Sequence, residues 1–162
     1  MTTTTAPDPL LQVQPALATA RTLMRAINDR DLGPIEDSVT SDFVDHGSPV
    51  PLPPGPAGYQ QVLGYVTSVL DISYEVLEEI ITPDRVVLRA RAHGRGVAAV
   101  HGPDKAGKPY TMDTIHVFRT EGRLLAEHWG VRDELGVLVQ LGLVPSVYPS
   151  ALDGETPSGP ST

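Results

Sequence analysis

The sequence predicts an α+β domain in which N-terminal helices precede a curved antiparallel sheet. Three observations carry this. Apolar residues recur at three- and four-residue spacing before residue 71, and β-branched and aromatic runs replace them afterwards. Those runs are separated by short breaks rich in Gly, Pro and Asp. Helices first and strands afterwards is an α+β order, and short connections make neighbouring strands antiparallel.

Leu17, Ala20, Leu23, Met24 and Ile27 mark one face of a first helix, ending near residues 28–31. Gly33 and Pro34 start a short second helix through Val39, and residues 41–46 lead into a loop. Residues 47–58 contain Pro49, Pro51, Pro53, Pro54 and Pro56, which make a stiff surface excursion of the kind that covers sites. Tyr59, Val62, Leu63, Val66 and Leu70 mark a third helix. Strands are predicted over 72–81, 86–93, 110–119 and 124–131, with a brief strand or bulge at 97–101. Asp133 stands where an N-cap would and Gly142 where a C′ glycine would, so 133–142 reads as a closing helix. Residues 1–9 and 149–162 are Thr-, Ser-, Pro- and Gly-rich and are expected to be disordered tails around one domain at 10–148.

Composition narrows the function. The chain has 162 residues, which suits one domain. It has no cysteine, which removes disulfides, thiolate metal sites and a cysteine nucleophile and fits a reducing compartment. A net charge of −8 and no basic stripe argue against nucleic acid as a partner. No apolar run reaches membrane-span length and the N-terminus has no signal-like pattern, so a soluble, cytoplasmic protein without a membrane partner is expected.

Strand side chains alternate between faces. A consistent choice puts Leu88, Ala90 and Ala92, then Thr114, His116 and Phe118, then Ala126, His128 and Gly130 on one concave face, with Leu124 sharing the parity of the last set. Two histidines then project from adjacent strands into a partly apolar cavity in which Ala and Gly leave room. Histidine suits proton transfer near neutral pH, and burial favours its neutral form. A pair of core histidines, each satisfied by one hydrogen bond, is the competing reading. His93 and His101 are expected to be exposed. Asp45 and His46 could set an acid and an imidazole at the mouth of the cavity, or face water. Tyr59 and Trp129 read first as packing residues and are kept as candidate ligand contacts. Asp133 is a candidate catalytic group, although capping alone would explain it. No His-x-His or His-x-x-x-His pair occurs, so no metal site is expected. No serine sits in a strand–turn–helix elbow.

The segment 121–142, EGRLLAEHWGVRDELGVLVQLG, resembles the C-terminal signature of SnoaL-like polyketide cyclases: a glycine turn, a strand ending in Glu-His-Trp, then an aspartate, Leu-Gly and Gln-Leu-Gly. Asp42, Phe43 and His46 resemble the family's early Asp-Phe-x-x-His element, and 55–59 and 84–87 match its loop into the third helix and its second-strand entry. The resemblance spans roughly 15–143. It implies a cone-shaped α+β barrel similar to nuclear transport factor two, its antiparallel sheet mixed at one edge, with a central pocket and a homodimer formed through the outer sheet face. It further implies cofactor-free acid/base chemistry in which a pocket aspartate removes a proton α to a carbonyl. His116 matches the family's pocket position. The aspartate common directly after the tryptophan is Gly130 here, so His128 or Asp133 would have to serve instead.

The reading is therefore a cofactor-independent cyclase or isomerase acting on a small hydrophobic carbonyl- or epoxide-bearing natural-product intermediate. His116, His128 and Asp133 would be its catalytic groups. His46, Asp45, Tyr59, Leu88, Thr114, Phe118 and Trp129 would be its substrate contacts. The alternative is a non-catalytic ligand-binding or accessory protein of the same fold, favoured by Gly130 and by the lack of an acidic residue on the inner strand face. An epoxide-opening hydrolase would need an Asp–Arg–Asp set in the pocket, and Asp113 and Arg119 fall on the opposite face.

Overall fold

The structure, a computed structural model, describes residues 9–145. The expected tails lie outside these residues, except that Pro9 opens the first helix. Helix α1 (Pro9–Asp29) starts earlier than its periodicity implied, and Pro15 sits inside it at the cost of one backbone hydrogen bond. A 3₁₀ turn (Gly33–Ile35) leads to strand β1 (Val39–Asp45). There follow α2 (Pro56–Ser68), β2 (Ser73–Thr82), β3 (Arg85–Arg95), a single helical turn α3 (Ala98–His101), β4 (Pro109–Glu121), β5 (Leu124–Arg132) and α4 (Glu134–Leu141).

Three local expectations are corrected. The second helix is only the 3₁₀ turn, and residues 41–45, expected only to lead into the loop, belong to strand β1. Its pairing register slips between Val39 and Val44, so its apolar residues do not alternate and the strand signal is lost. The segment at 97–101 turns as helix rather than pairing.

The strands form one sheet in the order β1-β5-β4-β3-β2. Only β1 and β5 run parallel, which makes the sheet mixed at that edge, and it stays open rather than closing into a barrel. β5 carries a bulge: Arg119 faces Glu127 while Thr120 faces Leu125. The bulge absorbs Ala126, so Leu125 rather than Leu124 turns into the core. The sheet curls around Val13, Ala16, Leu17, Ala20, Leu23 and Ile27 of α1, which meet Val86, Leu88, Ala90 and Phe118 in a continuous core. The proline-rich segment packs on the start of α2, where a Cβ on Gly58 would fall 1.9 Å from the Pro53 carbonyl oxygen. Asp133 caps α4 by accepting from the Gly136 amide, and Gly142 ends it in the left-handed conformation. Among the described residues no helix is long and apolar enough to cross a membrane.

Candidate active site

The site forms where β1, β5 and β4 lie side by side. Asp45 pairs with His128 across β1 and β5, while Phe118 and His116 of β4 face His128 and Gly130 of β5. Alternation turns His116 and His128 into the concave face. Both are nearly sealed from solvent, at 5% and 3% exposure. The two rings are stacked with centroids 5.3 Å apart.

A continuous hydrogen-bonded chain runs through them. Asp45 Oδ1 lies 2.7 Å from His128 Nδ1. His128 Nε2 lies 3.0 Å from His116 Nδ1. His116 Nε2 lies 3.1 Å from Thr114 Oγ1, and the Thr114 hydroxyl reaches the Ala90 carbonyl at 3.2 Å. The Gly47 amide donates to Asp45 Oδ1 at 2.9 Å.

Two proton placements satisfy this chain. With Asp45 ionised and His128 doubly protonated, His128 Nε2–H donates to His116 Nδ1, His116 Nε2–H donates to Thr114, and Thr114 donates to Ala90. With His128 neutral, His116 Nδ1–H donates to His128 and the Thr114 hydroxyl turns to donate to His116 Nε2. The two placements differ by one proton, lost or gained at His116 Nε2. One hydroxyl rotates and no other heavy atom has to move. That is the behaviour of a proton relay.

The electrostatics hold Asp45 ionised and the His116 ring neutral, which both placements require. Burial alone would raise the Asp45 carboxyl. The hydrogen bond and charge of His128, the Gly47 amide and the charge of Arg132 outweigh it and hold the group below its ordinary value. Burial, then the charges of His128 and Arg132, push His116 down to about 3, so its ring stays neutral. Burial, reinforced by the Asp45 charge, keeps the Tyr59 phenol protonated.

These shifts predict acid sensitivity. His116 binds its proton near 6.5 when unfolded and near 3 when folded. Between those values the unfolded chain holds the extra proton, so stability falls as pH drops, by up to about 1.4 kcal/mol per pH unit from this group. Asp45 is also depressed, so its contribution is present above its unfolded value and is lost as pH falls through the folded one. Urea midpoints between pH 7 and pH 4 should fall steeply for the wild type and more gently for His116→Gln. Parallel curves would contradict this placement of His116.

Aromatic rings enclose the relay. Phe118 stacks on His128 at 4.8 Å, Tyr59 tilts against it at 5.9 Å, and Tyr74 meets His116 edge-on at 5.3 Å. Beyond Tyr74 opens a cavity of about 350 Å³, walled by Val62, Val66, Leu70, Ile72, Met112 and Val137, with Arg132 in its wall. A second cleft of about 560 Å³ lies under the proline-rich segment, beside Asp45 and Tyr59. Pro49 borders both.

Leu88, Thr114, Phe118, Tyr59, Asp45 and both central histidines are thus brought together. The expected lack of an inner-face acid is overturned by Asp45, whose side chain is 3% exposed. His46 goes the other way. It stacks on Trp129 at 4.7 Å and bonds Glu127 at 2.8 Å on the outer sheet face. Trp129 is 37% exposed there, neither core nor cavity wall. Asp133 is exposed and bonded to Gly136, so it caps a helix outside the relay. His93 is exposed as expected, whereas His101 is half-buried and accepts from the Val97 amide. Arg132 and Tyr74 were missed. Arg132 was readable by parity, since it follows His128 and Gly130 at two-residue steps. Among the described residues no group of three or more His, Asp or Glu is arranged to hold a metal ion.

The family profile of SnoaL-like polyketide cyclases matches residues 18–141. Among solved structures, the chain is similar to IdmH of Streptomyces antibioticus, described as a candidate polyketide cyclase. Identity is 27%, coverage is 80% of this chain and 99% of that one, and the TM-score is 0.69. TsrD of Streptomyces laurentii shows 25% identity over 78% of this chain and 97% of its own, with a TM-score of 0.66. AclR of Streptomyces galilaeus, described as a candidate hydroxylase, shows 22% identity over 85% and 91%, with a TM-score of 0.69; this likeness bears on the fold alone. No curated protein matches the chain significantly.

Proposed function

The chain belongs to the SnoaL-like polyketide cyclase family, and from that premise we propose that it is a cofactor-independent acid/base enzyme. Its substrate is an apolar carbonyl-bearing metabolite, and its reaction is a cyclisation or isomerisation. The observation that carries this is the buried Asp45–His128–His116 relay. The relay accepts the proton α to the carbonyl and an enolate forms. The enolate carbon then attacks a second carbonyl, whose oxygen takes the proton back, or the proton returns to a different carbon. Nothing else is consumed. Asp45 takes up the task that the acid expected after Trp129 would have had, but from the neighbouring strand.

The test uses an apolar ketone in D₂O. Wild-type protein should speed exchange of the methyl protons of 2-acetylnaphthalene, and His116→Ala and His128→Ala should each slow it by about 10²-fold or more. Exchange at the buffer rate by wild type, or undiminished exchange in both variants, sinks the proposal. One observation favours a second reading, a ligand-binding or accessory protein of the same fold: neither imidazole lines the cavity. Saturable binding without exchange would decide for it.

We further propose a cytoplasmic homodimer formed through the outer sheet face. Ile115 and Val131, paired across β4 and β5, are exposed there beside Trp129, which supports burial against a second copy. A monomer in sedimentation equilibrium at micromolar concentration would refute the dimer.

A further inference from the structure

Arg132 acts on the relay through its charge alone and takes no part in its hydrogen bonds. It ends β5 on the concave face and lines the 350 Å³ cavity. One N–H, on Nη1, is given to the Gly47 carbonyl at 3.1 Å, out of five that a guanidinium carries. Arg85, Arg89, Arg91 and Arg119, on the other strands, each hold a carboxylate. Among the described residues no carboxylate lies within ion-pair distance of Arg132, although Glu134 lines the same cavity. A guanidinium at an apolar wall is tolerated while water reaches it. It becomes costly when a ligand displaces that water without supplying charge.

Gly130 shows how the guanidinium comes to lie there. A Cβ at this position would fall 3.2 Å from Arg132 Nη2 and 3.2 Å from His128 Cε1. Gly130 is not among the glycines with positive φ, so the backbone does not demand it. Glycine within a strand marks a close approach. Here the missing side chain lets the guanidinium fold back along the strand toward His128. One residue therefore adjoins both the cavity and the relay.

We infer that Arg132 anchors a carboxylate of the substrate. The substrate class is an apolar carboxylic acid, its body against Val62, Val66, Ile72 and Met112 and its carboxylate on the guanidinium fork. The charge must be permanent, because Arg132 loses its water when the ligand enters and not only when an enolate forms. A planar fork holds a carboxylate through two parallel hydrogen bonds. This inference rests on the acid/base reading of the same site and names its substrate class.

Calorimetric titration of the full chain with 2-naphthoate and with its neutral counterpart 2-acetylnaphthalene tests it. Wild type should bind the acid at least about tenfold more tightly than the ketone. Arg132→Met should erase that preference by weakening the acid alone. Gly130→Asp, which supplies a carboxylate from within, should weaken the acid by about tenfold with the far-ultraviolet circular dichroism unchanged. His116→Ala should keep the preference. Equal binding of acid and ketone, no binding of the acid at millimolar concentration, or a preference that survives Arg132→Met overturns the anchor. Failure of the relay is read separately, in proton exchange: exchange lost in His116→Ala without any acid preference removes the anchor and leaves the relay.

Discussion

Replacing Asp45 with asparagine should slow α-proton exchange by about 10²–10⁴-fold while the fold persists. Asparagine has nearly the same shape and its oxygen can still accept from the Gly47 amide and from His128 Nδ1. It cannot carry the charge that supports a doubly protonated His128. In the wild type the carboxylate is buried, accepts both donors and is held ionised by them. Without it, the relay loses the placement in which His128 stores the proton. Exchange rates in D₂O read the effect and near-ultraviolet circular dichroism checks the fold. A rate within about threefold of wild type would show that the carboxylate positions a ring and nothing more.

Phe118→Ala should cost about 3–5 kcal/mol of unfolding free energy. Phe118 is fully buried in β4, and its ring lies against the core on one side and against His128 and His116 on the other. Removing it leaves a cavity whose lining includes two imidazoles, so part of the space can draw in water, unlike a purely apolar void. The loss should therefore come with a rise in the depressed His116 pKa, visible as a shallower acid limb in urea midpoints. A loss below about 1 kcal/mol would mean that the sheet closes over the gap.

The histidine pair was legible because β4 and β5 are regular where it matters. Two-residue periodicity through Thr114, His116 and Phe118 needs no knowledge of the third dimension. The same rule reaches Arg132 once β5 is followed to its end, and it also turns Trp129 outward. Asp45 was harder. It and His46 are neighbours in the chain, so one had to point in and the other out, and the choice depends on the register of a strand whose pairing slips. A parallel edge pairing between β1 and β5 leaves no trace in local sequence. Helix α4 was readable because its signals are local: a capping aspartate and a left-handed glycine. Asp133 was therefore fully used by its cap, and a capping role should lower its standing as a catalytic group wherever both are open.

The parallel pairing of β1 with β5 bears on how this protein is made. Asp45 and His128 are 83 residues apart, and the strand that carries the acid leaves the ribosome long before the strand that receives it. Until β5 is complete, β1 has no neighbour in the sheet and its carboxylate stays hydrated. The helices and the β2–β4 meander rest on nearer contacts and are free to form earlier. Refolding should accordingly regain most of its secondary structure in a fast phase and regain the His128 ring signal only in a slower one, making the assembled relay a reporter of the last step of folding.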